Sequence, residues 1–149
     1  MSDQNSALVA ALSALPAFRG ASWRAAGFEV VAPFTVEAPI PTSRSVRVAT
    51  ENFAADGAHV FLSVSARDVG MVSAQPAEQE IALLPGARYV PATAFHDVAG
   101  LRVQVIVEQP SDGGAVPELP TGDELEGLLE SERRSAFVAT LRPGRFGRS

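Results

Sequence analysis

A chain of 149 residues that is 46% hydrophobic and 19% charged has room for one domain with a proper core. Its net charge of −5 argues against a general nucleic-acid binder, and the absence of cysteine excludes a disulfide frame, a thiolate metal site and a cysteine nucleophile. His59 and His96 stand too far apart and too isolated to suggest a metal site.

Residues 6–15 are predicted to form a short helix capped by Ser6 or Asn5 and ended by Pro16, with Leu8, Leu12 and Leu15 on one stripe. Phe18 to Ala21 reads as a strand carrying Arg19, and Phe28 to Val31 as another. Pro33, Pro39 and Pro41 keep the next stretch extended and loop-like. Val46 to Ala54 reads as a helix capped by Ser43 or Ser45, with Phe53 turned toward any site nearby. His59 to Ser65 alternates, with Val60, Leu62 and Val64 on one face and Phe61 and Ser63 on the other.

A loop without period follows from Arg67 to Ala77. Gln79 to Leu84 is strand-like and is broken by Pro85-Gly86. Arg88 to Phe95 is extended, and His96 to Gly100 supplies a hairpin turn. Leu101 to Glu108 alternates, which predicts Leu101, Val103, Val105 and Val107 inward and Arg102, Gln104 and Glu108 outward. Early helices and late antiparallel strands predict an α+β domain of two packed, mainly antiparallel sheets with short flanking helices.

The organisation expected is a catalytic unit over 1–109, a Pro- and Gly-rich linker over 110–120, and a helix with a basic tail over 121–149. Thr121-Gly122-Asp123-Glu124 is a capping box that opens the helix carrying Leu125, Leu128 and Leu129. In the tail, Arg133, Arg134, Arg142, Arg145 and Arg148 lie near Phe137 and Phe146. That set can stack on nucleic acid, but a frayed tail or a helix packed back on the domain is the expected arrangement, so nucleic acid is not an expected partner.

All 12 basic residues are Arg. The simplest source is a GC-rich genome; a functional one is that a protein delivered into eukaryotic cells gains by lacking ubiquitin-acceptor lysines. No segment has the length of a transmembrane helix, and the apolar stretch from Ala7 to Pro16 lacks the positively charged start of a secretory signal. The expectation is a protein with no membrane partner, either cytoplasmic or exported by a specialised secretion route.

The chemistry concentrates at Glu78-Gln79-Glu80, at the entrance to an apolar run. In a formed strand the two carboxylates would share a face. With Glu78 still in the preceding loop, it would instead reach past Glu80 toward a second substrate. Paired carboxylates of this kind stabilise a developing cation and position a nucleophile.

Three features frame that pair. Phe18-Arg19-Gly20 lies upstream, Pro41-Thr42-Ser43-Arg44-Ser45 with Ala49 and Phe53 follows, and Leu83-Leu84-Pro85-Gly86 comes after the acidic pair. The order resembles the Arg–Ser–Glu class of mono-ADP-ribosyltransferases, the bacterial toxins and vertebrate ecto-enzymes that use NAD. The resemblance covers residues 16 to 109.

It implies NAD as substrate, release of nicotinamide, and a bacterial toxin or effector acting on a target protein with an acceptor arginine. It also allows a cognate immunity or inhibitor protein as a partner. Arg19 would bind the pyrophosphate and Gly20 would bring backbone to the nicotinamide amide. Thr42, Ser43 and Ser45 would scaffold the site. The family's Ser-Thr-Ser matches either Pro-Thr-Ser or Ser-Arg-Ser here, and Ser43 falls in both. Phe53 would stack near the nicotinamide. Glu80 would stabilise the oxocarbenium ion, and Glu78 would bind the acceptor; Glu at that position goes with arginine acceptors in the family. An NAD glycohydrolase on the same fold and a catalytically silent binding module are the alternatives.

Overall fold

The structure, a computed structural model, describes residues 3–134 and 146–148, without the side chains of 3–6, 147 and 148. Phe137, Arg142 and Arg145 of the expected basic tail and the side chain of Arg148 lie outside what is described, whereas Asn5 and Ser6, expected as caps, stand within a helix that is already formed at Asp3. The described elements are α1 (Asp3–Ser13), β1 (Ala17–Ala26), β2 (Phe34–Thr35), β3 (Ile40–Ser43), α2 (Val46–Ala49), β4 (Gly57–Asp68), β5 (Glu80–Leu83), β6 (Arg88–Pro91), β7 (His96–Val98), β8 (Leu101–Gln109), α3 (Gly122–Arg134) and β9 (Gly147–Arg148). This is the α+β class expected, with mainly antiparallel strands and few short helices.

The ladder runs β2-β6-β8-β4-β5-β3-β1-β9, with β7 on the β8 strand and a second pairing of β1 with β4. Among the described strands only β4–β8 and β1–β9 are parallel. One edge of β4 meets β1 along most of its length, while the other meets β8 and then, at Arg67 and Asp68, β5. Because β3 bridges β5 back to β1 at Ser43 and Trp23, strands β1, β3, β5 and β4 close on themselves. Arg67 lies at the junction, opposite Ala17 on one side and Ala82 on the other.

The alternation of β4 divides two cores. Val60 and Leu62 join Trp23, Val103, Val105, Leu125, Leu129 and Phe146, whereas Phe61 joins Ile81, Leu83, Tyr89 and Ile106. Both faces of β8 are therefore covered, and the outward prediction for Gln104 and Glu108 is corrected: they are 0% and 4% exposed. Gln104 accepts from Val30 N at 2.9 Å and donates to Val30 O at 2.7 Å and Thr93 O at 2.9 Å. This side-chain amide takes the hydrogen bonds that a partner strand would take, so 28–31 is not a strand.

Two further local differences have physical causes. The strand β3 includes Pro41, expected in a loop. Its carbonyl accepts from Arg24 Nη1 at 2.9 Å on the β1 side, so the missing N–H also faces away from β5 and no β5 bond is lost. Helix α2 ends at Ala49 rather than Ala54. The Thr50 hydroxyl donates to Val46 O at 2.7 Å and accepts from Phe53 N at 3.0 Å, and Glu51, Asn52 and Phe53 turn to φ of 52°, 63° and 65°.

The capping box forms as predicted, with Glu124 N donating to the Thr121 hydroxyl at 3.1 Å and Thr121 N to the Glu124 carboxylate at 2.9 Å. Helix α3 then carries Leu125 and Leu129 into the core around Trp23. Phe146 is buried at 3% in that core, not presented to nucleic acid. No helix among the described residues is long and apolar enough to cross a membrane.

Candidate active site

The end of β3 organises the acidic pair. Thr42, Ser43 and Ser45 are all buried, and each hydroxyl ties β3 or its exit to another element. Thr42 donates to Ile81 O on β5 at 2.7 Å. Ser43 donates to Glu78 O at 2.6 Å and accepts from Ser45 N at 3.1 Å. Ser45 donates to the Glu132 carboxylate of α3 at 2.7 Å and accepts from Val48 N at 3.3 Å, which makes it the N-cap of α2.

The same region holds the loop that carries Glu78. Pro76–Glu78 is a single 3-10 turn, and Gln79 adopts a left-handed conformation at φ 49° and ψ 50°. Arg44 N fixes the Gln79 carbonyl at 3.0 Å while Ser43 fixes that of Glu78. Glu78 therefore precedes a backbone kink and Glu80 follows it. The loop alternative for Glu78 is the one realised, but its side chain is 2% exposed and does not reach out toward solvent.

Glu80 opens β5 directly opposite Ser43. Its half-buried side chain lines a cleft of about 370 Å³ with Leu8 and Leu12 of α1, Pro41, Val72 and Ser73. Met71 and Val72, on the loop before the acidic pair, are 81% and 68% exposed.

Arg19 is exposed on β1 and lines a different cleft, of about 910 Å³, with Ser65, Pro85, Gly86, Arg88 and Glu108. The structure thus brings Arg19 together with the Leu-Pro-Gly turn and Ser43 together with Glu80. Gly20 has φ 148°, and a Cβ there would come within 3.3 Å of the Phe18 ring, so a larger residue at this position is strained. Phe53 is half-buried beside α2, with the Arg133 guanidinium 4.3 Å and that of Arg47 5.8 Å from its ring centroid.

Several buried polar residues were not singled out by the sequence. Arg47 is buried; it donates to the carbonyls of Glu132 at 2.8 and 2.6 Å and Arg133 at 2.6 Å, and also to Asn52 Oδ1. These carbonyls belong to the last described turn of α3. Tyr89 is wholly buried with its hydroxyl 2.7 Å from that of Ser63. Burial raises its pKa far above the ordinary phenol value, the Ser63 bond opposes the rise, and nearby Glu108 adds to it. Glu108 accepts from Val64 N at 2.7 Å, Ser65 N at 3.0 Å and the Ser65 hydroxyl at 2.5 Å. The sequence held a hint of this: Glu108 shares parity with Ile106, an apolar residue on a face read as solvent.

Among the described residues no cluster of three or more His, Asp or Glu could hold a metal ion. His59 is buried among Phe28, Phe61 and Phe95, with Nε2 2.9 Å from the Phe28 carbonyl.

No protein-family model and no curated protein matches the chain. Solved structures do match. HopU1, an ADP-ribosyltransferase of Pseudomonas syringae pv. tomato, aligns with TM-score 0.53 and 19% identity, over 62% of this chain and 46% of its own. The type III effector XopAI of Xanthomonas axonopodis pv. citri aligns with TM-score 0.56 and 14% identity, over 71% and 49%. Exoenzyme S of Pseudomonas aeruginosa, solved with human 14-3-3 protein beta and carba-NAD, aligns with TM-score 0.50 and 16% identity, over 68% and 53%. The fold is that of these bacterial proteins, and the chain spans about half the length of each.

Proposed function

We propose that this chain is an NAD-dependent mono-ADP-ribosyltransferase domain of a bacterial effector or toxin. It transfers ADP-ribose from NAD to a protein side chain, arginine in the first instance. The bond between the ribose anomeric carbon and the nicotinamide nitrogen breaks, and nicotinamide leaves with the bonding electrons. A bond from the same carbon to a guanidinium nitrogen forms, and that nitrogen gives one proton to water.

The observation that carries the reading is Ser43 opposite Glu80, with the Ser43 hydroxyl bonded to the Glu78 carbonyl, in a fold shared with an ADP-ribosyltransferase. Glu80 supplies the carboxylate beside the developing oxocarbenium ion. Arg19 takes the pyrophosphate through its planar fork of donors. Glu80 and Arg19 are joined through Ser43 and Trp23, which lie in one row across β5, β3 and β1, with Arg19 four residues further along β1. Strand spacings put the two backbones roughly 16 Å apart. One dinucleotide bridges that span in this reading, with ribose at one cleft and pyrophosphate at the other.

The burial of Glu78 at 2% favours a second reading, an NAD glycohydrolase. Water needs no carboxylate to bind it, whereas a guanidinium acceptor needs one within reach. Incubating the protein with NAD and a cell extract, followed by mass spectrometry, separates the two. ADP-ribose on arginine supports the transferase. Rapid nicotinamide release without labelled protein favours the glycohydrolase, and neither product removes both.

A further inference from the structure

Strand β4 carries one extra residue where it passes Arg19. The ladder pairs Phe18 with Ala66 and Gly20 with Ser63, so Val64 and Ser65 together face the single residue Arg19. Such a bulge bends its strand and re-aims the side chains around it. It also takes the amides of the bulged residues out of the regular ladder, and buried amides need acceptors.

Glu108 supplies them. It reaches across from β8, is 4% exposed, and accepts both bulge amides on one carboxylate oxygen at 2.7 and 3.0 Å. Its other oxygen accepts the Ser65 hydroxyl at 2.5 Å. Three donors thus converge on one buried carboxylate, and Arg19, Val64, Ser65 and Glu108 all border the same cleft.

We infer that Glu108 is a positioning residue for Arg19: by holding the Val64–Ser65 bulge open, it turns the Arg19 guanidinium into the cleft to meet an anionic ligand. The inference rests on the reading of Arg19 as the pyrophosphate contact. Glu108 is not itself that contact, because its negative charge opposes an anion and its oxygens are engaged by the bulge. What it contributes is shape, and shape is separable from charge. Glu108→Gln loses the charge but keeps a carbonyl oxygen for both amides and a nitrogen that reaches the Ser65 hydroxyl. Glu108→Asp keeps the charge and is one methylene too short to span to β4.

The test measures binding of inorganic pyrophosphate and of NAD by calorimetry to the wild type, Arg19→Ala, Glu108→Gln, Glu108→Asp and the double variant Arg19→Ala/Glu108→Asp. Circular dichroism checks that each is folded. Loss of an oriented charge-assisted contact costs about tenfold or more in affinity, so Glu108→Asp is expected to fall by that factor, with Glu108→Gln within a few-fold of wild type. The double variant is expected to bind no more weakly than Arg19→Ala, because Glu108 acts only through Arg19. Full additivity of the two losses overturns the inference, as does retention by Asp with loss by Gln. Binding that depends on Arg19 but ignores every change at Glu108 overturns it while leaving the pyrophosphate reading intact. Binding that ignores Arg19 removes both.

Discussion

Ser43 stands directly opposite Glu80 across the β3–β5 ladder, and its hydroxyl is 2.6 Å from the carbonyl of Glu78. One buried serine therefore touches the backbone on one side of the Gln79 kink and faces the residue on the other. Ser43→Ala leaves the buried Glu78 carbonyl without this donor, a loss of about 1–3 kcal/mol. A lower melting temperature is expected, together with slower nicotinamide release as the loop drifts. A variant that melts and turns over like the wild type would show that the serine holds nothing that matters.

Glu80→Gln keeps the size and removes the charge next to the reacting ribose. If Glu80 stabilises the oxocarbenium ion, nicotinamide release falls by roughly a hundredfold or more with the fold intact. A rate within a few-fold of wild type assigns the catalytic carboxylate elsewhere.

Glu78→Gln distinguishes the two enzyme readings. A carboxylate that serves only an arginine acceptor can be neutralised with loss of transfer to agmatine while NAD hydrolysis continues. Because Glu78 is buried, its other possible effect is on the loop itself. Parallel loss of both activities would assign it to shaping the NAD site and withdraw the main support for arginine as acceptor.

Arg47 is a stability prediction. Its guanidinium serves carbonyls of the last described turn of α3 from inside the protein. Arg47→Leu leaves those carbonyls and Asn52 without their donor, and is expected to cost about 2–4 kcal/mol. Chemical denaturation measures it; an unchanged midpoint contradicts the docking of α3 on α2.

His59 sets a pH dependence. Burial holds its pKa below the ordinary 6.5, the Phe28 carbonyl opposes that, and the charge of Arg24 lowers it further. The unfolded chain therefore binds a proton that the folded chain resists. Stability from the neutral ring is complete above about pH 6.5 and is lost as the pH falls toward the folded pKa. Melting temperature is expected to drop between about pH 7 and about pH 5, and to drop less in His59→Gln. A variant that follows the wild-type slope places the titration in another group.

Much of this protein was legible in one dimension. A helix over 6–15, strands over 18–21, 59–65, 79–84 and 101–108, and the capping box of α3 follow from periodicity, caps and residue type, and α1, β1, β4, β5 and β8 overlap those spans. These are local rules, acting within one or two turns or a few strand residues. The order of Arg19, Ser43 and Glu80 was likewise in the sequence, and with it the expected α+β architecture.

What tertiary structure alone decided is which groups meet. Alternation in β8 marks one face as apolar but does not say that the other face is covered as well; that depended on the second core around Tyr89 and Ile106, which buries Gln104 and Glu108. Gln104 then took the backbone of Val30 and left 28–31 without a partner strand. The carbonyl fixed by Ser43 and the left-handed turn at Gln79 sent Glu78 inward, although Glu-x-Glu by itself permits both carboxylates on one face. The last two of these outcomes turn on hydrogen bonds between residues at least 35 positions apart. Spacing along the chain carries no information about such pairs, because it is chain closure and burial that bring them within 3 Å and oblige their polar groups to find one another.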